Sequence, residues 1–309
     1  MACRTPAGRA LTPDAGIFGP DSEAWRLNRE AVLLLGAGPR ALLLQVAHPL
    51  IAEGVDQHSS FRTDPWRRLT ATLRSSLRLA YGDSATADAE IARLRALHRS
   101  IAGPVRDPVA RAAHGPRYSA LDPALGLWVF ATLVDSTIVA YDALVEPLAR
   151  NRRARFYAEA RPLALELGVD DAALPPDLDA FEAYMAEMLG PSGPIRVSPT
   201  ARDIAEAILR PPLGLLAAAT PGLARLPGAT TVLGSIPAVA YAWLYWPAVG
   251  LLPDRLRRDY GITWGRPQRF VAAWLTSAWR AWLPLIPPAV RWLPQARAAH
   301  RRAGLSSAL

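Results

Sequence analysis

With 309 residues, 51% hydrophobic and 20% charged, the chain is too apolar to be disordered and long enough to bury a substantial core, as one large domain or two ordinary ones. The net charge of +8 rests on 35 basic residues that are all arginine; in a chain rich in alanine and leucine this reads as a coding bias, although arginine also suits carboxylate and phosphate pairing. No zinc spacing, aromatic-interleaved basic stripe or recognition-helix pattern accompanies the charge, so a nucleic-acid partner is not expected.

Residues 1–20 hold three prolines and three glycines and read as a flexible N-terminal arm. Its Cys3 is the only cysteine, which excludes a disulfide framework and any metal site built from several thiolates. The arm carries Arg4 and Arg9 but no apolar core of a signal peptide, so a cytoplasmic location is expected. From Asp21 the signals are helical. Asp21 or Ser22 can cap a helix through "SEAWRLNREAVLLLG", with Gly36 or Gly38 as its stop and Pro39 opening a second helix, "PRALLLQVA". Asp64-Pro65 repeats the start for "DPWRRLTATLRSSLRLAYG", where Trp66, Leu69, Leu73 and Leu77 form one apolar stripe. Ser84 opens a helix in which Ile91, Leu94, Leu97 and Ile101 line a face before Gly103-Pro104. Asp122-Pro123 starts the long apolar "DPALGLWVFATLVDSTIVAYDALVEPL", and further helices follow near 152–167, 178–189 and 200–209. No alternating pattern argues for a strand.

The most lipophilic stretch, residues 213–252, is interrupted by Pro221, Arg225, Pro227, Pro237 and Pro247. A span needs about 20 uninterrupted apolar residues. A buried hairpin fits better, with a monotopic membrane contact as the alternative. Beyond it, Trp264, Trp274, Trp279, Trp282 and Trp292 interleave with Arg269, Arg280 and Arg291, a pattern of an interfacial segment or of ordinary helix packing.

Gly36, Gly38 and Ala41 spell the GxGxxA of a dinucleotide-binding loop, and Asp56 stands near the right distance. The context does not fit. Val32–Leu35 continues a charged helical pattern, the route to Asp56 carries Pro49, and no strand–helix alternation follows. A helix–Gly–Pro–helix corner explains the same letters.

Five histidines remain: His48, His58, His98, His114 and His300. His48, Glu53 and His58 have the residue types of a two-histidine, one-carboxylate iron site, but at about 100° per residue positions five apart diverge around a helix. His98 lies four residues after Leu94 and three before Ile101, so it shares their face, as a hydrogen-bonded core residue or as a ligand. A haem is the natural partner for the second reading, because it needs an apolar slot and an axial imidazole. Arg68 and Thr72, four apart on the preceding helix, would offer a cation and a hydroxyl from one side. The plain reading of Arg68 is a solvated arginine beside Arg67.

The order of "REAVLLLGAGPRALLLQVAHPLIAEGVDQHSSFRTDPWRRLTATLRSSLRLAYG", "RALHRSIAG", "YSALDPALGLWVFATLVDS" and "LLPDRLRRDYGITW" resembles the family of the fungal MpaB-type oxygenases and the bacterial latex-clearing rubber oxygenases, over roughly residues 24 to 275. The resemblance implies an all-α fold, a single large multi-helix domain enclosing a buried haem pocket, with haem b (iron) as cofactor and O2-dependent oxidation as activity. It places the proximal iron ligand at His98, in "HxxIxG", and the distal arginine and threonine at Arg68 and Thr72. His48 and His58, in "QxxHP" and "HSxF", would face the haem or the substrate, and Asp135 is a buried carboxylate near the cofactor or paired with an arginine. The sequence departs from rubber oxygenases at Ala71, where they carry a distal lysine. Residues 21–285 then form the oxygenase-like domain and 286–309 an Arg-rich C-terminal tail. The expected activity is a haem b-dependent oxygenase or oxidase acting with O2 on an apolar, isoprenoid-like or other lipophilic substrate. The alternatives are a non-catalytic haem or lipid carrier and a non-haem iron oxygenase. A cytoplasmic protein with peripheral membrane contact fits the apolar stretch.

Overall fold

The computed structural model describes residues 14–59, 65–209 and 246–305, excluding the side chains of residues 65–69. Within these the chain is almost wholly helical, as expected. The helices are α1 (Glu23–Asn28), α2 (Leu33–Val46), α3 (Pro49–His58), α4 (Pro65–Tyr81), α5 (Ser84–Arg99), α6 (Pro108–His114), α7 (Pro123–Leu144), α8 (Arg150–Glu166), α9 (Leu178–Leu189) and α10 (Pro199–Leu209). Then come α11 (Trp246–Gly250), α12 (Asp254–Asp259), α13 (Arg266–Trp282), α14 (Pro288–Arg291) and α15 (Pro294–Arg302). The start signals expected at Ser22 and Asp122-Pro123 hold, and Asp83, Asp107 and Asp177 act in the same way. Ser22, Asp83, Asp107, Asp122 and Asp177 each accept a backbone N–H in the first turn of the helix they precede. Pro108 and Pro123 then occupy first-turn positions that need no N–H donor.

Two expectations change. The first helix does not run to Gly36: it stops at Asn28, and Gly36, Gly38 and Pro39 lie inside α2. The corner falls at residues 29–32, where neither Gly nor Pro marks it, because the C-terminal segment pairs with the backbone there. Ala31 N–H donates to Arg291 O at 3.0 Å and Leu293 N–H to Arg29 O at 2.8 Å. Buried Glu30 accepts from Arg291 Nε at 2.5 Å, and Arg29 stacks on Trp292 at 4.0 Å. Residues of the 286–309 segment thus close a small second core, in which His300 packs between Trp25 and Trp292. There is also one short antiparallel ladder, β1 (Ala102–Pro104) with β2 (Arg117–Ser119), in the register Gly103 opposite Tyr118. Three residues per strand are too few to show an alternating pattern in the sequence.

The main core forms where α2 crosses α7. Gly36 permits the approach: a Cβ there would lie 2.7 Å from Leu144 Cδ1 and 3.2 Å from Ala140 Cβ. Buried Arg40 ties the pair, donating to Asp135 Oδ2 at 2.6 Å, Ser136 Oγ at 2.8 Å and Leu251 O at 2.8 Å. Carbonyls at the C-terminal end of α2 are met by groups from other elements. Tyr260 Oη donates to Leu43 O at 2.5 Å, Trp128 Nε1 to Leu44 O at 3.1 Å, and Arg196 N–H to Ala47 O at 3.0 Å. α7 is long and apolar enough to cross a membrane, but 67% of its apolar window is buried in the protein. Of the lipophilic 213–252 stretch, 213–245 lies outside the described residues; Pro247, Ala248, Val249 and Leu252 are buried.

Candidate functional site

The anchored end of α2 sets the position of His48. α2 and α3 meet at a bend of 101°, and His48 is the N-cap of α3, its Nδ1 accepting the Leu50 N–H at 3.3 Å. The ring is buried and packs against His114 with centroids 5.5 Å apart. Burial and the neighbouring His114 hold the His48 pKa down to about 4, against the opposite pull of Asp122. An Nδ1 that accepts a backbone N–H belongs to a neutral ring, so geometry and pKa agree. His114 is the partner that sequence reading did not single out, because it joins His48 from 66 positions away.

His58 ends the same helix, and its Nε2 meets the Ala102 carbonyl at 3.2 Å. A carbonyl only accepts, so Nε2 is the donor in this bond. At 1.5 Å per residue, α3 holds His48 and His58 about 15 Å apart, too far to share one metal ion. Between them Glu53 is buried and fully engaged, accepting from the Arg106 and Asp107 N–H groups at 3.0 and 2.8 Å and from Gln57 Nε2 at 2.7 Å. Among the described residues no three His, Cys, Asp or Glu side chains gather to hold a metal ion.

His98 and the Arg68/Thr72 pair occupy the two arms of a helical hairpin. α4 and α5 are joined by Gly82-Asp83 alone and packed through Glu90, a buried carboxylate of α5. Glu90 accepts from Ser75 Oγ at 2.5 Å and Arg78 Nη1 at 3.0 Å on α4, and from Arg93 Nη2 at 2.5 Å. Bonds from Arg93 first, with Ser75 and Arg78 adding to them, hold its pKa at about 2 against the cost of burial. Counting outward from the turn in this register, Arg68 on α4 comes level with Leu97 and His98 on α5. His98 itself is half-buried, as are Leu94 and Ile101; the stripe that predicts a buried face is buried only at its start, at Ile91. Ala102, the partner of His58, lies four residues beyond His98, so His58 and His98 border the same junction of α5 with β1.

The described partners of the remaining candidates are protein groups. Asp135 pairs with Arg40, and Gln45 donates to Thr132 Oγ1 at 3.1 Å. The candidates therefore stand at separate places in the fold: the Arg40–Asp135 pair at the α2–α7 crossing, His48 at the α2–α3 bend, and Arg68, Thr72 and His98 on the α4–α5 hairpin, with His58 bonded to Ala102 just past the end of α5.

Comparison with known proteins fixes the class: the chain matches the family described as "ER-bound oxygenase mpaB/B'/Rubber oxygenase, catalytic domain" over residues 25–284, and it belongs to that family. No match was found among curated proteins or solved structures.

Proposed function

We propose that the protein is a haem b-dependent oxygenase acting with O2 on an apolar substrate of the isoprenoid or other lipophilic class. The observation that carries this reading is the family match across residues 25–284, together with the position of His98 level with Arg68 on the α4–α5 hairpin. The donor set fits the cofactor: an imidazole for iron, an arginine for a propionate and a threonine hydroxyl on the facing helix. Ser59, beside His58, adds a buried hydroxyl with no hydrogen-bond partner among the described residues.

In this reading the haem iron, when bound, supplies the activation of O2, and the chain's own residues bind, orient and manage protons. His98 holds the iron and Arg68 neutralises a propionate. Thr72 presents a hydroxyl donor on the same helix face, one turn along. His58, donating from Nε2 to the Ala102 carbonyl, keeps Nδ1 to hold a proton near the junction. The lysine that rubber oxygenases use is absent, since Ala71 stands in its place and the chain has no lysine at all. Proton handling then falls to His58.

Visible spectra of the purified protein, with and without dithionite, test the reading. A Soret band in the wild type that is lost in His98→Ala is the expected result. An intact band in that variant overturns the ligand assignment, and no haem after expression with ample iron overturns the cofactor. Oxygen uptake with candidate lipophilic substrates then separates an oxygenase from a carrier.

A further inference from the structure

The most solvent-exposed large apolar side chains in the described structure are not scattered. Phe270, Trp274 and Trp282 of α13, with Leu285 and Val290 just beyond it, are each between 61% and 73% exposed. On α13 itself, Phe270 and Trp274 lie on the face turned away from what the helix buries. Ala272, Leu275 and Leu283 point into the core, whereas Phe270, Trp274 and Ala281 follow one another on the outer face at helical spacing. A helix with apolar residues on both faces has a second surface to cover. Leu283-Pro284-Leu285 forms a 3-10 turn that carries the outer apolar line past the end of the helix.

The charge around this face is one-sided. From Gly261 to Leu309 the sequence has seven arginines and no aspartate or glutamate. Arg291 is engaged by Glu30 and Arg280 donates to the Asp142 carbonyl, while Arg266 and Arg269 are exposed along one flank of α13. Exposed tryptophans and a phenylalanine beside arginines suit the boundary between head groups and acyl chains, where the ring is half-immersed and the guanidinium reaches the phosphate. A second copy of the chain is the poorer occupant. A two-fold contact would set the exposed Arg266 and Arg269 against their own copies.

We propose that the outer face of α13, from Arg266 to Leu285, docks on an anionic lipid bilayer, with Phe270, Trp274, Trp282 and Leu285 immersed at the interface and Arg266 and Arg269 on the head-group phosphates. The helix lies in the membrane plane rather than crossing it: its 17 residues span about 25 Å and carry three arginines. The proposal does not depend on the haem, and its readout is binding rather than turnover.

Co-sedimentation of the full chain with vesicles tests it. Vesicles of phosphatidylcholine with about one-third phosphatidylglycerol should bind the protein about tenfold more tightly than phosphatidylcholine alone, and added salt should remove that difference. The double variant Phe270→Ser, Trp274→Ser should lose about tenfold or more on the anionic vesicles while keeping its circular dichroism and melting profile, since both side chains are exposed. Arg266→Gln with Arg269→Gln should weaken binding to anionic vesicles only. In the wild type, brominated lipid should quench tryptophan emission. Absence of binding or of quenching overturns the proposal, as does binding unchanged by the Phe270/Trp274 pair. A wild-type dimer that becomes monomeric in that pair would assign the face to a second copy and also overturn it.

Discussion

Gly36 of α2 and Leu144 of α7 meet where the two central helices cross, so closely that a Cβ on the glycine would lie 2.7 Å from the leucine Cδ1. Leu144 is fully buried and has no space to retreat. Two positions along the same helix, Gly38 has nothing within 4 Å of its would-be Cβ. Two glycines of one motif therefore serve opposite ends: one is a contact, the other only a weak link in a helix. Gly36→Val should lower stability by about 1–3 kcal/mol through overpacking, and Gly38→Ala should raise it by up to about 1 kcal/mol through helix propensity. Urea midpoints at constant slope measure both, and equal effects at the two sites would remove the steric account.

Arg40 and Asp135 form the ion pair that fastens the same crossing. Arg40→Met leaves the Asp135 carboxylate and the Leu251 carbonyl without their donor. Because Asp135 keeps some contact with water, the loss should be about 3 kcal/mol, at the lower end for a buried pair. The double variant Arg40→Met, Asp135→Leu should recover most of it, which thermal unfolding can check. Failure to recover would mean that Ser136 and Leu251 carry the bond.

His48 makes stability sensitive to acid. Its folded pKa, about 4, lies below the ordinary value of 6.5, so the unfolded chain binds the proton more readily. Its contribution is complete above about pH 6.5 and is lost as the pH falls from there to about 4, a change of about 3 kcal/mol. His48→Asn keeps an N-cap acceptor for Leu50 N–H and removes the titration. Unfolding free energy between pH 7 and pH 4 should therefore fall less steeply in the variant; parallel curves would assign the acid response to another group.

Glu90 acts in a lower pH window. With its carboxyl held at about 2 by Arg93, Ser75 and Arg78, its contribution is present above the unfolded value of about 4.3 and is lost between there and 2. The arginines are half-exposed, which screens the pairing. Glu90→Gln should cost about 1–2 kcal/mol at pH 7 and flatten the stability profile below pH 4. Hydrogen exchange on α4 and α5 should rise together, since the hairpin is fastened at this point. Exchange confined to α5 would place the fastening elsewhere.

Much of the fold can be read directly from the chain. Asp122-Pro123 announces α7, because a cap and a first-turn proline act on residues within one turn of themselves. The helices at 178–189 and 200–209 follow from apolar spacing in the same way. Helical spacing singles out His98, Arg68 and Thr72 only as positions, their roles come from the family resemblance, and that resemblance agrees with the match over residues 25–284. What spacing could not give is the company each residue keeps.

The sequence by itself determined the helical class, most helix starts, the family and the failure of the glycine motif as a phosphate loop, because these depend on residues a few positions apart. Tertiary structure alone decided the corner at residues 29–32, where Arg291 and Leu293 arrive from the far end of the chain. It decided that Gly36 answers to Leu144, that Arg40 answers to Asp135, and that His48 stands against His114. It also separated His48 from His58 by the length of a helix and brought His58 beside the end of α5. The physical reason is the same in each case: a cap or a stripe is satisfied within one or two turns, whereas a buried ion pair, a close helix crossing or an imidazole contact takes its partner from wherever packing brings it.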